Sequence, residues 1–512
     1  MEIRLAGFNV DKDAIDELRR LLAQCFPLSR LSENDRRAAL EIALNLTPET
    51  ICASYARISR DPRIISELRK DSRKDVEASR KSNKAIIFTM GHKSIAEHAR
   101  FNFDIVGVSR RAVEEIEQNR LDSYTEKSQR YITMDGDFVL PKEIKGTEFE
   151  PRFLELVELQ NNFYKNNLEK ITNWHHAQDY SALYPTVGAK DADKQKGVRE
   201  GLGKEDARYS LGLSTQAQLG MTISARTLES MITRLRSSDN EELKEIGEKF
   251  FAEIDGVAPS VIKYTQPSDY FSKTRPELKQ FVSQLTRENN DFNSDEERVK
   301  LYSGLKRNDS ILAGLIFSSS NLPYRECLLV TDKMSNDCKI EILNKTIKYQ
   351  EKHAPMLREY ELGDRVAEMV MSSSAFAQMK RHRMNTLISQ EYNTKLGLTV
   401  PESVTKAGLG IDLGYIISKS IELHDNLLAE GYPKSVAEYA LTNSNRRRVL
   451  LDANNRQAHA FCMERENLAA QWDIRKTANE YHKALQDEYG DSYLTTRALC
   501  GKHEFDEVKK KL

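Results

Sequence analysis

Two stretches of this chain concentrate residue types that grip anions and flat rings. Met379–Asn393 reads MKRHRMNTLISQEYN, and Gln118–Tyr131 reads QNRLDSYTEKSQRY. Gln378 and Arg381 are three apart and share a helical face. His382 and Arg383 follow, turned about 100° and 200° away. Guanidinium groups hold phosphate through parallel N–H bonds and stack on planar rings. The cluster therefore suits an anionic ligand with a flat ring system, such as a nucleotide or flavin. A basic helix end that complements the helix dipole has the same composition. In the other stretch Glu126, Ser128 and Arg130 alternate, so an extended segment points them the same way. A hydroxyl, backbone N–H groups and an arginine make a phosphate cradle. A nearby carboxylate can position a ring N–H or a sugar hydroxyl. An exposed polar strand is the plainer reading.

The elements that position these residues read as α+β. RRAALEIALNL and PELKQFVSQL carry helical periodicity. Phe101, Phe103 and Ile105 alternate as in a strand, DFVLP reads as a shorter one, and SRRAVEEIEQNRLDSY returns to a helix.

The landmarks recur. His92 and His353 stand at similar distances before the two polar blocks, and Ser224–Arg226 pairs with Asn454–Arg456. The pattern predicts two divergent copies of one domain, residues 1–268 and 269–512, with helices packed on an antiparallel sheet. The first copy carries an insertion near 175–205, which is rich in Gly, Lys and Asp and reads as a mobile surface loop.

The motifs resemble those of the flavin-dependent thymidylate synthase (ThyX) family. GHKSIAEHARFNFDIVGVSR followed by RLDSYTEKSQRY is similar to its Gly-His block, helix start and Ser-x-Arg loop. QMKRHRMNT is similar to its Arg-His-Arg signature, and DANNRQAHAFCMERENLAAQWDIR to its Asn-x-Arg…Arg…Ala-Gln segment. The departures interlock. The first copy has Gln118-Asn119-Arg120 in place of Arg-His-Arg but keeps Glu126, Ser128, Arg130 and Arg208. The second keeps Gln378, Arg381, His382, Arg383, Asn454, Arg456 and Arg465, and has Glu391, Asn393 and Glu438 where nucleotide-binding residues belong.

In that family one subunit supplies the Ser…Arg loop and a partner supplies the Gln…Arg helix face. The resemblance therefore implies one composite site per tandem chain, which reductively methylates dUMP to dTMP. FAD is the implied cofactor, with NADPH and methylenetetrahydrofolate as co-substrates. Arg465 is implied to stabilise the activated uracil, and Ser128 to act beside it. Ser128, Gln129, Arg130 and Arg208 would hold the phosphate, and Glu126, Gln378 and Arg381 would orient base and sugar. Arg381, His382, Arg383, Asn454, Arg456, His92 and Ser94 are the implied flavin residues. Either Glu359 or Glu361 matches Glu97. A different uridine nucleotide, an RNA uracil, or non-catalytic flavin or nucleotide binding are the alternatives.

Composition narrows the partners. Lys+Arg is 77 and Asp+Glu is 78, a net charge of −1 that draws the chain toward neither nucleic acid nor a membrane. The 6 cysteines form no CxxC pair, and His92 and His98 fall on different sides of a helix, so no metal site is expected. His175 and His176 read as solvated loop residues, and Arg446–Arg448 as a solvated helix end or a nucleic-acid contact. MEIRLAGFNV lacks the apolar core of a signal peptide. The expectation is a cytoplasmic homodimer acting on a small nucleotide.

Overall fold

A computed structural model describes residues 1–23, 32–179, 192–273, 276, 297–302, 308–318, 323–347, 358–362, 364–467 and 470–489. The chain forms two compact units. The first holds Met1–Lys127, Asp137–Thr147 and Ser214–Glu288; the second holds Ser128–Gly136, Glu148–Leu213 and Asn289–Leu512. The second unit thus takes in the Ser128–Arg130 segment and Arg208 from the first half of the chain.

Each unit is built on a four-stranded antiparallel sheet of the same order. In the first, β1 (Glu2–Phe8), β2 (Arg100–Ser109), β3 (Ser123–Glu126) and β4 (Gln216–Ser224) run β1-β2-β4-β3. In the second, β5 (Val299–Tyr302), β6 (Asp364–Ser372), β7 (Thr386–Ser389) and β8 (Arg446–Asn454) run β5-β6-β8-β7. Registers agree as well: Ser109 faces Gln216, and Ser372 faces Arg446. The fold is α+β and repeated, as the sequence predicts.

The alternation in β2 has its expected cause. Phe101, Phe103 and Ile105 are buried while Asn102 and Asp104 are exposed, and the buried set packs on Phe250 and its neighbours. Gly107 takes a φ of +73° where the β2–β4 register shifts, a backbone position that suits glycine. Ser109 and Ser372 then cap the helices Arg110–Ile116 and Ser373–Met379 by accepting from Ala112 and Ala375 N–H.

Several sequence expectations are corrected here. The helix expected through Tyr124 stops at Ile116, and β3 begins at Ser123. DFVLP contributes a single bridge, Phe138 to Thr215. PELKQFVSQL lies almost wholly outside the described residues, and His353 is also outside them. Arg446–Arg448 opens β8 rather than ending a helix. Buried Arg447 stacks 4.6 Å from the Phe376 ring and 4.0 Å from Tyr392, and Arg448 lies 3.3 Å from Glu368.

The described part of the insertion is helical. One helix spans Phe149–His176 and another Ala192–Ala207. Gly203, in the second of them, permits close packing against the first. A Cβ on buried Gly203 would run into the Thr172 hydroxyl and lie 3.0 Å from Thr172 Cα. Gly203→Ala should therefore lower unfolding free energy by about 1–3 kcal/mol despite its better helix propensity. Adding Thr172→Ala should recover part of the loss in a urea titration. An unchanged midpoint for the single variant would mean that these helices do not meet there.

Candidate active site

Ser128, Gln129 and Arg130 form a turn, not the extended row expected. The strand ladder ends as Lys127 N–H donates to Gln218 O. Ser128 then collects the next donors: its Oγ accepts from Arg130 N–H at 3.2 Å, and its carbonyl from Tyr131 and Ile132 N–H. This curls the backbone, so Ser128 and Arg130 do not sit on an extended segment. Gln129 is buried, and Arg130 pairs with buried Glu205. Burial, opposed by Arg130 and Arg208, raises the Glu205 carboxyl above its ordinary range.

Arg208 lies on a short turn, Arg208–Ser210, just after the Ala192–Ala207 helix. It is buried, and its Nη2 donates to Ser374 Oγ at 2.6 Å. Ser374 sits in the first turn of the helix that carries Gln378. In this way the second unit joins Arg208 to the helix that carries Gln378.

That helix ends at Met379, and Arg381, His382 and Arg383 occupy the turn that follows. Arg465, the last residue of helix Asn455–Arg465, reaches back to them. Its Nε donates to His382 Nε2 at 2.9 Å, its Nη1 to Gln378 Oε1 at 3.3 Å and its Nη2 to Gln378 O at 3.4 Å. Burial lowers the Arg465 pKa to about 10; Glu464 opposes this, and the charges of Arg381 and Arg130 add to it. Arg465 stays charged at neutral pH. Arg130, from the first half of the chain, and Arg381, from the second, thus lie within electrostatic reach of Arg465.

Burial, and then Arg465, pushes the His382 imidazole down to about 3. It is neutral at pH 7 and accepts from Arg465. A base whose folded pKa lies below its unfolded value binds fewer protons when folded. Stability from this source is therefore complete above the ordinary value of 6.5 and declines as pH falls toward 3. His382→Gln should reduce the drop in melting temperature between pH 7 and pH 5. An identical drop in both proteins would show that His382 takes a proton in the folded chain.

The other expected flavin residues are engaged locally. Asn454 caps its helix through a reciprocal box with Gln457. Arg456 pairs with Glu361. In the first unit Arg226 makes the equivalent pair with Glu97 at 2.5 Å, so Glu361, not Glu359, is the counterpart of Glu97. His92 and Ser94 are exposed in the first unit, where Glu126 also lies, 3.9 Å from Arg110.

The counterpart positions are built differently. Equally far from its cap serine, the first copy has Glu115 in place of Gln378. Arg234, one position earlier in its helix than Arg465, donates from Nη1 to Glu115 Oε2 at 3.2 Å and from Nη2 to its carbonyl at 2.8 Å. Burial alone would raise the Glu115 carboxyl, but Arg111 and Arg234 hold it below its ordinary value. In the second copy buried Glu438 replaces Arg208 and accepts from Tyr392 N–H at 2.9 Å, and Glu391 pairs with Lys434 at 3.4 Å. Fixed carboxylates thus stand at these counterpart positions.

Sequence reading missed Glu205, Ser374, Tyr209 and Asp473. It also misjudged His175, which is buried with its Nε2 3.0 Å from Asp206. The Ser372-Ser373-Ser374 run and the acids preceding Arg208 were the available signals. Among the described residues Cys462, Glu466 and His482 bring ligand-type atoms within 4.8 Å of one another, with His482 Nδ1 2.7 Å from Glu466. No helix among the described residues is long and apolar enough to cross a membrane.

Comparison with known proteins agrees with a repeated chain. The family model described as thymidylate synthase complementing protein matches residues 42–260 and 321–489. A flavin-dependent thymidylate synthase of Clostridium tetani is 29% identical over 43% of this chain and 83% of its own length. A UPF0159 protein of Chlamydia muridarum is 23% identical over 82% of this chain and 81% of its own. Another from Thermoplasma acidophilum is 22% identical over 85% and 92%. A solved flavin dependent thymidylate synthase from Helicobacter pylori, complexed with FAD and dUMP, aligns with 51% of this chain and 100% of its own at 15% identity, with a TM-score of 0.26. Matched by the family model in two stretches that span most of its length, the chain belongs to the thymidylate synthase complementing protein family as a divergent tandem member.

Proposed function

We propose that the chain is a flavin-dependent methyltransferase that converts dUMP to dTMP at one composite site, with methylenetetrahydrofolate as carbon donor and NADPH as reductant. The observation that carries this reading is the 2.6 Å hydrogen bond from Arg208, in the first half of the chain, to Ser374 in the helix that carries Gln378, with Arg130 and Arg381 both within electrostatic reach of Arg465. Family membership supplies the reaction class, and the carboxylates at the counterpart positions support one such site rather than two.

In this reading Ser128, Gln129, Arg130 and Arg208 hold the nucleotide phosphate. Gln378 and Arg381 orient the base and sugar. Arg465 stabilises negative charge that develops on the uracil, which is the contribution expected of a fixed, partly buried cation. Glu126, His92 and Ser94 enter through the resemblance alone. Arg381, His382, Arg383, Asn454 and Arg456 are the residues that would hold FAD. The donor set fits such a ligand: guanidinium groups for its phosphates, with Glu361 fixing the direction of Arg456. FAD supplies the redox chemistry when bound. The repeat boundaries are placed at residues 1–268 and 269–512. A chain that carries both arms replaces the partner subunit of a single-copy relative, which favours a homodimer.

The test is anaerobic incubation of the purified chain with dUMP, NADPH, FAD and methylenetetrahydrofolate, followed by mass spectrometry. Multiple turnovers to dTMP are expected. Retained flavin without dTMP would reject dUMP as the substrate.

A further inference from the structure

The two arms of the proposed site are joined by a second, deeper contact. Asp473 is fully buried in the first turn of helix Trp472–Tyr489. Its Oδ2 accepts from Tyr209 Oη at 3.2 Å and from Ser372 Oγ, and its Oδ1 accepts from Arg298 Nη1 at 2.5 Å. Tyr209 directly follows Arg208. Ser372 caps the helix that carries Gln378 and leads into Arg381. Gln471 completes the knot: its Oε1 accepts from Asp473 and Ile474 N–H, and its Nε2 donates to Tyr209 Oη at 2.9 Å.

The first copy shows what this arrangement replaces. There Glu242, in the first turn of helix Glu241–Ile254, takes the corresponding place. Its two oxygens accept from Ser109 N–H and Ser109 Oγ, each at 2.7 Å. Both copies therefore use an acid to hold the cap serine. In the first copy both of these bonds stay with the cap serine between one strand and its helix. In the second the shorter aspartate shares its oxygens with Tyr209 and with Arg298, which pairs its buried charge. The tyrosine comes from the half of the chain that contributes Arg130 and Arg208.

We infer that Tyr209 and Asp473 are positioning residues that hold the phosphate-side arginine in register with the base-side helix. The inference rests on the composite-site reading. The Tyr209 hydroxyl touches no ligand in this scheme. It fixes the backbone that presents Arg208, together with Ser444 Oγ, which donates to Tyr209 O at 3.1 Å, and Asn443 Nδ2, which donates to Arg208 O at 3.0 Å.

Tyr209→Phe tests this in the full-length, flavin-loaded chain. It removes one hydroxyl and keeps the ring stacked on Trp472 at 5.6 Å. The KM for dUMP should rise about tenfold, the size expected for a lost hydrogen bond to a charged group, with a smaller change in kcat. Asp473→Glu restores the side-chain length of the first copy and should shift KM in the same direction. The double variant should add little beyond the larger single effect. Melting temperatures of the variants separate positioning from simple destabilisation. A lower melting temperature with unchanged KM would overturn the inference, as would wild-type KM in both variants. A wild-type chain that neither binds nor methylates dUMP would instead overturn the site reading on which the inference rests.

Discussion

Arg130→Ala and Arg381→Ala should each reduce turnover of dUMP by about a hundredfold, whereas Asn393→Ala should leave it nearly unchanged. In the composite-site reading each arginine would give charge-assisted hydrogen bonds to the same bound complex, and losing such a bond costs about 1.5–3 kcal/mol. Asn393 is the second copy's counterpart of Arg130. Its side chain accepts from Lys395 N–H at 2.9 Å and caps a short turn. Losing that cap should cost about 1 kcal/mol of stability and no catalysis. Asn119, whose Nδ2 donates to Ile116 O and Tyr124 Oη, should be similarly tolerant. Steady-state kinetics of the four variants provides the check. If Asn393→Ala were as damaging as Arg130→Ala, the division of labour between the copies would be wrong.

Arg465 carries the second large effect. Arg465→Ala should lower kcat by about 10²–10³, the usual consequence of removing a fixed group that stabilises developing charge. Nucleotide affinity should fall less, since the phosphate contacts are assigned to other residues. Arg465→Lys should still lose more than about tenfold, because an ammonium cannot span both His382 and Gln378 as the guanidinium fork does. The Arg465 pKa near 10 keeps it charged across the neutral range, so this residue should impose no loss of kcat between pH 7 and pH 8. Comparable kcat in wild type and Arg465→Ala would remove Arg465 from the chemistry.

Much of this organisation is legible in the sequence, for identifiable reasons. The alternation at Phe101, Phe103 and Ile105 reports a half-buried strand directly, because side chains on a strand point to opposite faces. The repeat is visible because landmarks recur in order, the polar blocks at Gln118 and Arg381 and then Ser224–Arg226 and Asn454–Arg456, where Ser224 and Asn454 each cap a helix. The unequal inheritance of arginines, such as Arg208 against Glu438, is visible as residue identity alone. Local geometry is less visible. The turn at Ser128 depends on a hydroxyl and a carbonyl capturing three successive N–H groups, which overrides the alternation of the side chains. The glycines near 200 look like loop residues, but they lie in a helix and one of them, Gly203, lets it rest against Thr172. His175 is held by Asp206 across a long separation in the chain, which no local pattern encodes. Tyr209 and Asp473 are hidden for the same reason.

The central claim is that one chain carries one uridine-nucleotide site assembled from both copies. It is tested most directly by calorimetric titration of the flavin-loaded chain with dUMP. The account expects one nucleotide bound per chain, with binding lost in either Arg130→Ala or Arg381→Ala. Two nucleotides per chain, each lost separately in one of those variants, would show two independent sites and contradict it.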